Sequence, residues 1–180
     1  MNTRIATTDS GQALVELSVA FVILSVLVFG IVDFGRAVYD AEVMKNLSGE
    51  GSSLASRGTS LATTTQTVTT DAASTMDLQN EGCIVVTVVT NNAGTLQITD
   101  QASQCGIQAA SRIGCLLGQS GCNSSSPTLP TAASTALQSE VSGSSLYVTE
   151  IFYSYATTTP ITSFLQGSAL PSQLYSVAYY

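Results

Sequence analysis

With 180 residues, 5 basic side chains against 12 acidic ones and a formal net charge of −7, the chain has room for one modest domain beside a short anchor. It has no clustered Lys or Arg, which excludes nucleic acid as a partner and leaves hydrophobic burial as the only route to a membrane. Histidine is absent, removing the commonest general base and the commonest metal ligand together and arguing against an enzyme; no cofactor or metal is implied.

Met1 to Gly11 is short and polar, with Arg4 its basic side chain. Gln12 to Val32 (QALVELSVAFVILSVLVFGIV) is apolar apart from Glu16 and small polar residues. As a helix it spans about 30 Å, enough to cross a bilayer. Beyond Asp33 the charge is mixed, and Phe34, Val38 and Ala41 recur at helical spacing, which predicts an amphipathic stalk. Asp40 and Glu42 lie within reach of Lys45. The helix is expected to fade near Gly49, Gly51 and Gly58. Residues 58–70, rich in Ser and Thr, suggest a linker, followed by a short helix over 70–79.

Then the period changes. CIVVTVVT from Cys83 is dense in β-branched residues and predicts a buried strand. Asn91 to Gly94 is a turn signal and Thr95 to Thr99 a return strand, together a hairpin. Residues 114–130 form a loop pinned by a disulfide. From Ser145 to Ala156 the chain alternates: Leu146, Val148, Glu150, Phe152 and Ser154 on one side, Tyr147, Thr149, Ile151, Tyr153 and Tyr155 on the other. The tail from Gln173 to Tyr180 offers a fourth short strand. The expected fold class is α+β: a long N-terminal transmembrane and stalk helix with a small, disulfide-bearing antiparallel sheet of three or four strands, one face packed on the stalk. The corresponding divisions are 1–11 as leader, 12–57 as anchor and stalk, 58–82 as linker and short helix, and 83–180 as an extracytoplasmic β-rich domain.

The cysteines are Cys83, Cys105, Cys115 and Cys122. An even number following a hydrophobic anchor suggests two disulfides and an oxidising compartment. No tight C-x-x-C pair favours zinc. Four cysteines allow three pairings, and short separations favour Cys83 with Cys105 and Cys115 with Cys122.

The informative junction is Gly11-Gln12-Ala13-Leu14-Val15-Glu16. A small residue before an apolar segment, with a carboxylate five positions later, is the pattern cut by prepilin peptidases. Cleavage after Gly11 leaves Gln12 as an N-terminal ammonium and Glu16 inside a helix that partitions into lipid. A carboxylate at the bilayer centre costs about 2.5–3.5 kcal/mol. Meeting the ammonium of its own or a neighbouring subunit offsets that cost and sets the stagger between helices. The competing explanation is an uncleaved helix whose Glu16 snorkels to the cytoplasmic headgroups. A secretory signal would need a small-x-small site, for which only Gly35-Arg36-Ala37 is on offer. Arg4 and the N-terminal amine predict an N-in orientation. Asp33 and Arg36 are expected on the juxtamembrane helix surface, and the tyrosines in core and edge positions.

The run from Gly11 to Gly51 resembles the N-terminal region of TadE-like proteins, the minor pilin-like components of the tight-adherence (Tad, or Flp) pilus machinery. The matching elements are Gly11, Ala13 to Glu16, Phe29 to Ala37 (FGIVDFGRA), Tyr39 and Glu50-Gly51. The tail from Val148 is also similar to the family's closing strands. Val22 stands where these anchors often carry a proline, so a straighter helix is expected. Gln12 stands where type IV pilins commonly have Phe. The resemblance implies a bacterial inner-membrane protein, single-pass, with its C-terminal domain periplasmic or extracellular. Its implied partners are the prepilin peptidase and other pilin-like subunits or pilus assembly proteins. The alternative function is a membrane-tethered binding module that keeps its leader. A hydrolase is disfavoured, since Lys45, the chain's one lysine, lies on the stalk and no G-x-S-x-G elbow occurs.

Overall fold

The apolar run and the charged stretch after it form one unbroken helix, α1 (Asp9–Ser56), in the computed structural model, which describes residues 9–115, 126–156, 159 and 172–180. Most of the leader, with Arg4, lies outside the described residues, as does Cys122. Met1–Ala37 with Thr157–Leu170 forms one unit, and Val38–Ala156 with Pro171–Tyr180 forms another. α1 does not fade at Gly49 or Gly51. It ends where Gly58, at φ 90°, lets the chain turn back: Gly58 N donates to Ala55 O and Thr59 N to Leu54 O, closing the last turn.

The buried stripe of the stalk differs from the one expected. Phe34 and Val38 are exposed, and the buried residues are Asp33, Ala37, Asp40, Met44, Leu47, Ser48, Gly51, Ser52 and Ala55. Their spacing is helical, but most are small or polar, so a search for the most apolar residues passes over them. Close approach is what selects them in the second unit. A Cβ on Gly51 would lie 2.8 Å from Thr149 Cγ2. Next to it, the Ser52 hydroxyl accepts from Thr149 N at 3.1 Å and donates to Ala178 O at 3.0 Å. One turn earlier, Ser48 Oγ lies 3.1 Å from Ser176 Oγ.

The Ser/Thr-rich stretch is a helix, α2 (Leu61–Ala72), where a linker was expected. Ser60 caps it by accepting from Thr63 N. Its buried residues are Leu61, Thr64, Thr65, Val68, Thr69 and Ala72, a helical stripe built half from threonine methyls. Thr65 and Thr69 can be buried because their hydroxyls donate to Ala62 O and Thr65 O, 2.9 and 2.8 Å away. The helix expected over 70–79 is instead the end of α2, a turn, and the start of α3 (Leu78–Glu81), capped by Asp77.

Four strands follow: β1 (Gly82–Asn92), β2 (Thr95–Cys105), β3 (Ser145–Ser154) and β4 (Gln173–Tyr179). They form an antiparallel sheet in the order β2-β1-β3-β4. Ala93 and Gly94 both take positive φ, 51° and 87°, the geometry a two-residue hairpin loop needs. β2 runs on past the expected Thr99 to Cys105, and the extra residue at the Val88/Val89 register shift is Thr99, a β-bulge. Cys83 and Cys105 face each other across this hairpin and are disulfide-bonded, as short separation favoured. Cys115 is disulfide-bonded too; the expected pairing with Cys122 lies outside the described residues.

The alternation expected in β3 is the one observed. Ile84, Val86 and Ile151 pack with Met44, Leu47, Val68 and Leu78, which puts α1 and α2 against one face. On the other face, Val85 and Phe152 are joined by Ile107 and Tyr175, and Val89, Ile98 and Val148 by Ile113 and Leu137. Leu137 belongs to α4 (Thr131–Ser139), a helix that the sequence did not suggest because it buries only that residue. Asn91 ties it to the hairpin: its amide donates to Leu137 O and Glu140 O, and its carbonyl accepts from Gly94 N.

Candidate functional site

The junction expected to be cut lies in the first turns of α1. Gly11 is helical, exposed, and has open space where a Cβ would stand. Gln12 and Glu16, one turn apart, are brought together: the Gln12 carboxamide donates to Glu16 Oε1 at 3.1 Å. Both face solvent, as does every residue from Gly11 to Val32 except Ser25 and Gly30, which are half-exposed. The segment has a window of mean hydropathy 2.6 with none of it buried, so α1 is long and apolar enough to cross a membrane. Its two interior hydroxyls are satisfied within the helix, Ser18 donating to Val15 O and Ser25 to Phe21 O, both at 2.8 Å. That leaves Glu16 as the costly group in this stretch if it lies in lipid.

Asp33 ends the apolar run, but it is not the exposed surface residue expected. It is buried, and its carboxylate accepts from the backbone N–H and the hydroxyl of Thr159. Thr159 lies 126 residues away in sequence, so no local pattern could have announced this bond. Arg36 is exposed, as expected.

In the second unit, the main polar constellation sits on the sheet face opposite the helices. Glu150, in the middle of β3, is completely buried. Its Oε1 accepts from Arg112 N at 2.8 Å and from the Tyr175 hydroxyl at 3.0 Å, while Oε2 accepts from the Ser111 hydroxyl. The Arg112 guanidinium lies 3.9 Å from the centroid of the Tyr175 ring, which in turn meets Phe152 at 5.0 Å. Burial first, and the Glu150 charge second, push the Tyr175 hydroxyl well above its ordinary pKa, which keeps it protonated as a donor; Tyr179 is raised by the same two causes. Glu150 thereby clamps the segment after Cys105 onto the sheet. The carboxylate spends both oxygens on these three donors, which gives the arrangement a structural character. Sequence reasoning placed Glu150 on the correct face without showing its burial; a lone carboxylate among Leu146, Val148 and Phe152 was the available signal.

A second polar feature is a cleft of about 490 Å³ between α2, α3 and the end of β2. Gln66, Gln79 and Gln104 contribute to its lining, with Met76 and Leu78 buried beneath. Nothing in the sequence marked it. The expected site residues therefore fall into separate groups: Gly11, Gln12 and Glu16 share the start of α1, and Cys83 and Cys105 lock the hairpin. Among the described residues no cluster of acidic, His or Cys side chains could hold a metal ion.

Compared with known protein families, the chain matches the model described as TadE-like protein over residues 11–52. The match begins at Gly11 and ends at Ser52, one of the residues that bond α1 to the sheet. No curated protein and no solved structure matches the chain.

Proposed function

We propose that this chain, a TadE-like protein by its anchor segment, is a minor pilin-like subunit that takes part in assembling a Tad-type pilus after cleavage behind Gly11. It is inserted N-in with its sheet domain outside the cytoplasm. The observation that carries this reading is the start of the family match at Gly11, on a lipid-compatible helix whose first turns pair residue 12 with Glu16.

The chemistry follows from those first turns. Cleavage requires an extended backbone at the scissile bond, and Gly11 lies in the opening turn, where few helical hydrogen bonds have to open. The new Gln12 ammonium then stands one turn from Glu16. In the monomer the Gln12 carboxamide already holds that carboxylate; in a bundle the ammonium of a neighbouring subunit can replace it, and a lipid environment strengthens such a pair. The disulfide between Cys83 and Cys105 suits an oxidising compartment outside the cytoplasm.

The test is intact mass and N-terminal sequencing of the native protein under non-reducing conditions, in strains with and without a functional prepilin peptidase. A peptidase-dependent start at Gln12 supports a processed subunit. A start at Met1 in both strains overturns it and leaves Glu16 as an interfacial residue on an uncleaved, membrane-tethered binding module.

A further inference from the structure

We propose that the cleft between α2, α3 and the end of β2 is a binding site for a neutral saccharide. Three glutamines from three elements line it: Gln66 from α2, Gln79 from α3 and Gln104 from β2. None of the three side chains hydrogen-bonds another described residue, so each carboxamide keeps one acceptor oxygen and two donor hydrogens for a ligand. Vicinal hydroxyls, each both donor and acceptor, are the natural complement. Ala73, Met76 and Leu78 add apolar lining to the cleft, which suits the C–H face of a sugar ring. The volume, about 490 Å³, lies within the usual range for small-ligand sites.

Charge narrows the ligand class. No Lys or Arg is among the described residues lining the cleft, and Asp77, also in the lining, is turned onto its own helix cap, accepting from Asn80 N at 3.0 Å and Asn80 Nδ2 at 2.8 Å. An anionic ligand would find no counter-charge and a carboxylate beside it. A cationic one would find that carboxylate already engaged. The cleft is also held closely on one side: a Cβ at Gly106, the residue after β2, would lie 2.2 Å from Gln79 O, so the chain leaving β2 meets α3 backbone to backbone. This inference rests on the cleft alone and stands whether or not the leader is cleaved.

The test uses the full chain in phosphatidylcholine nanodiscs, which contain no sugar detergent. Saturation-transfer NMR and calorimetry are run with lactose, N,N′-diacetylchitobiose and maltotriose as neutral probes. The charged comparison is 3′-sialyllactose, and a neutral Ser/Gly hexapeptide represents the other ligand class. The expected result is saturation of ring C–H protons for at least one neutral probe, with affinity at least tenfold weaker in a Gln66→Ala/Gln104→Ala variant. Both positions are on the cleft surface, and circular dichroism of the variant should match the parent. The proposal is overturned if no neutral saccharide binds, if the variant binds as the parent does, or if only the hexapeptide or the sialylated sugar binds.

Discussion

Replacing Glu150 isolates what holds the segment after Cys105 to the sheet. The carboxylate is wholly buried and accepts from Ser111, from the Arg112 backbone and from Tyr175. In Glu150→Ala all three donors lose their acceptor, and hydrogen bonds to a charged group are each worth about 1.5–3 kcal/mol. The losses are not additive, because the exposed Arg112 segment can peel back and recover water. The donors left behind are neutral, and stranding a buried one costs about 1–3 kcal/mol, so a loss of about 2–4 kcal/mol is expected here. Glu150→Gln keeps one acceptor oxygen and the side-chain volume, so about 1–2 kcal/mol is expected. The assay is urea unfolding of the full chain in nanodiscs, followed by tyrosine near-UV circular dichroism, with limited proteolysis reporting on the segment at Arg112. A loss below about 1 kcal/mol in Glu150→Ala, with no new cleavage near Arg112, would refute the clamp.

Two other outcomes are expected. Opening the Cys83–Cys105 disulfide, with its separation of 22 residues, by a Cys83→Ala/Cys105→Ala double substitution should cost about 3 kcal/mol of loop-closure entropy, measured as a lower urea midpoint in oxidising buffer. The Tyr175 hydroxyl is raised above its ordinary value of about 10, chiefly by burial and then by Glu150, so folding favours its neutral form. Its contribution is complete below about pH 10 and is lost as pH rises beyond that. The urea midpoint of the wild type should fall more steeply above pH 10 than that of Tyr175→Phe, and parallel slopes would contradict the assignment. A residual slope from Tyr179, raised by the same causes, remains in the variant.

Where local chemistry decides, the amino-acid order alone was sufficient. The run from Gln12 to Val32 is apolar on every side, and a helix is the conformation that satisfies its backbone without water, so its presence and length follow directly. The alternation of β3 and the Asn91–Gly94 turn are equally local, because side chains in a strand change face at every residue and positive φ needs particular residue types. That Gln12 and Glu16 meet is likewise local, since they stand four residues apart on one helix.

The tertiary structure decided whatever depends on a partner far away in sequence. α2 looks like a linker because its threonines count as polar; only against the sheet do their methyls become a buried face. The stalk buries Asp33, Ser48, Gly51 and Ser52, not Phe34 and Val38, because close backbone approach to Thr149 and Ala178 and a hydrogen bond from Thr159 outweigh apolarity. Glu150 is a tolerable core residue only once Ser111, Arg112 and Tyr175 arrive to donate to it. A polar side chain carries no local sign of being buried: its desolvation cost is its own, but the groups that offset it come from other segments, and only the folded chain brings them together.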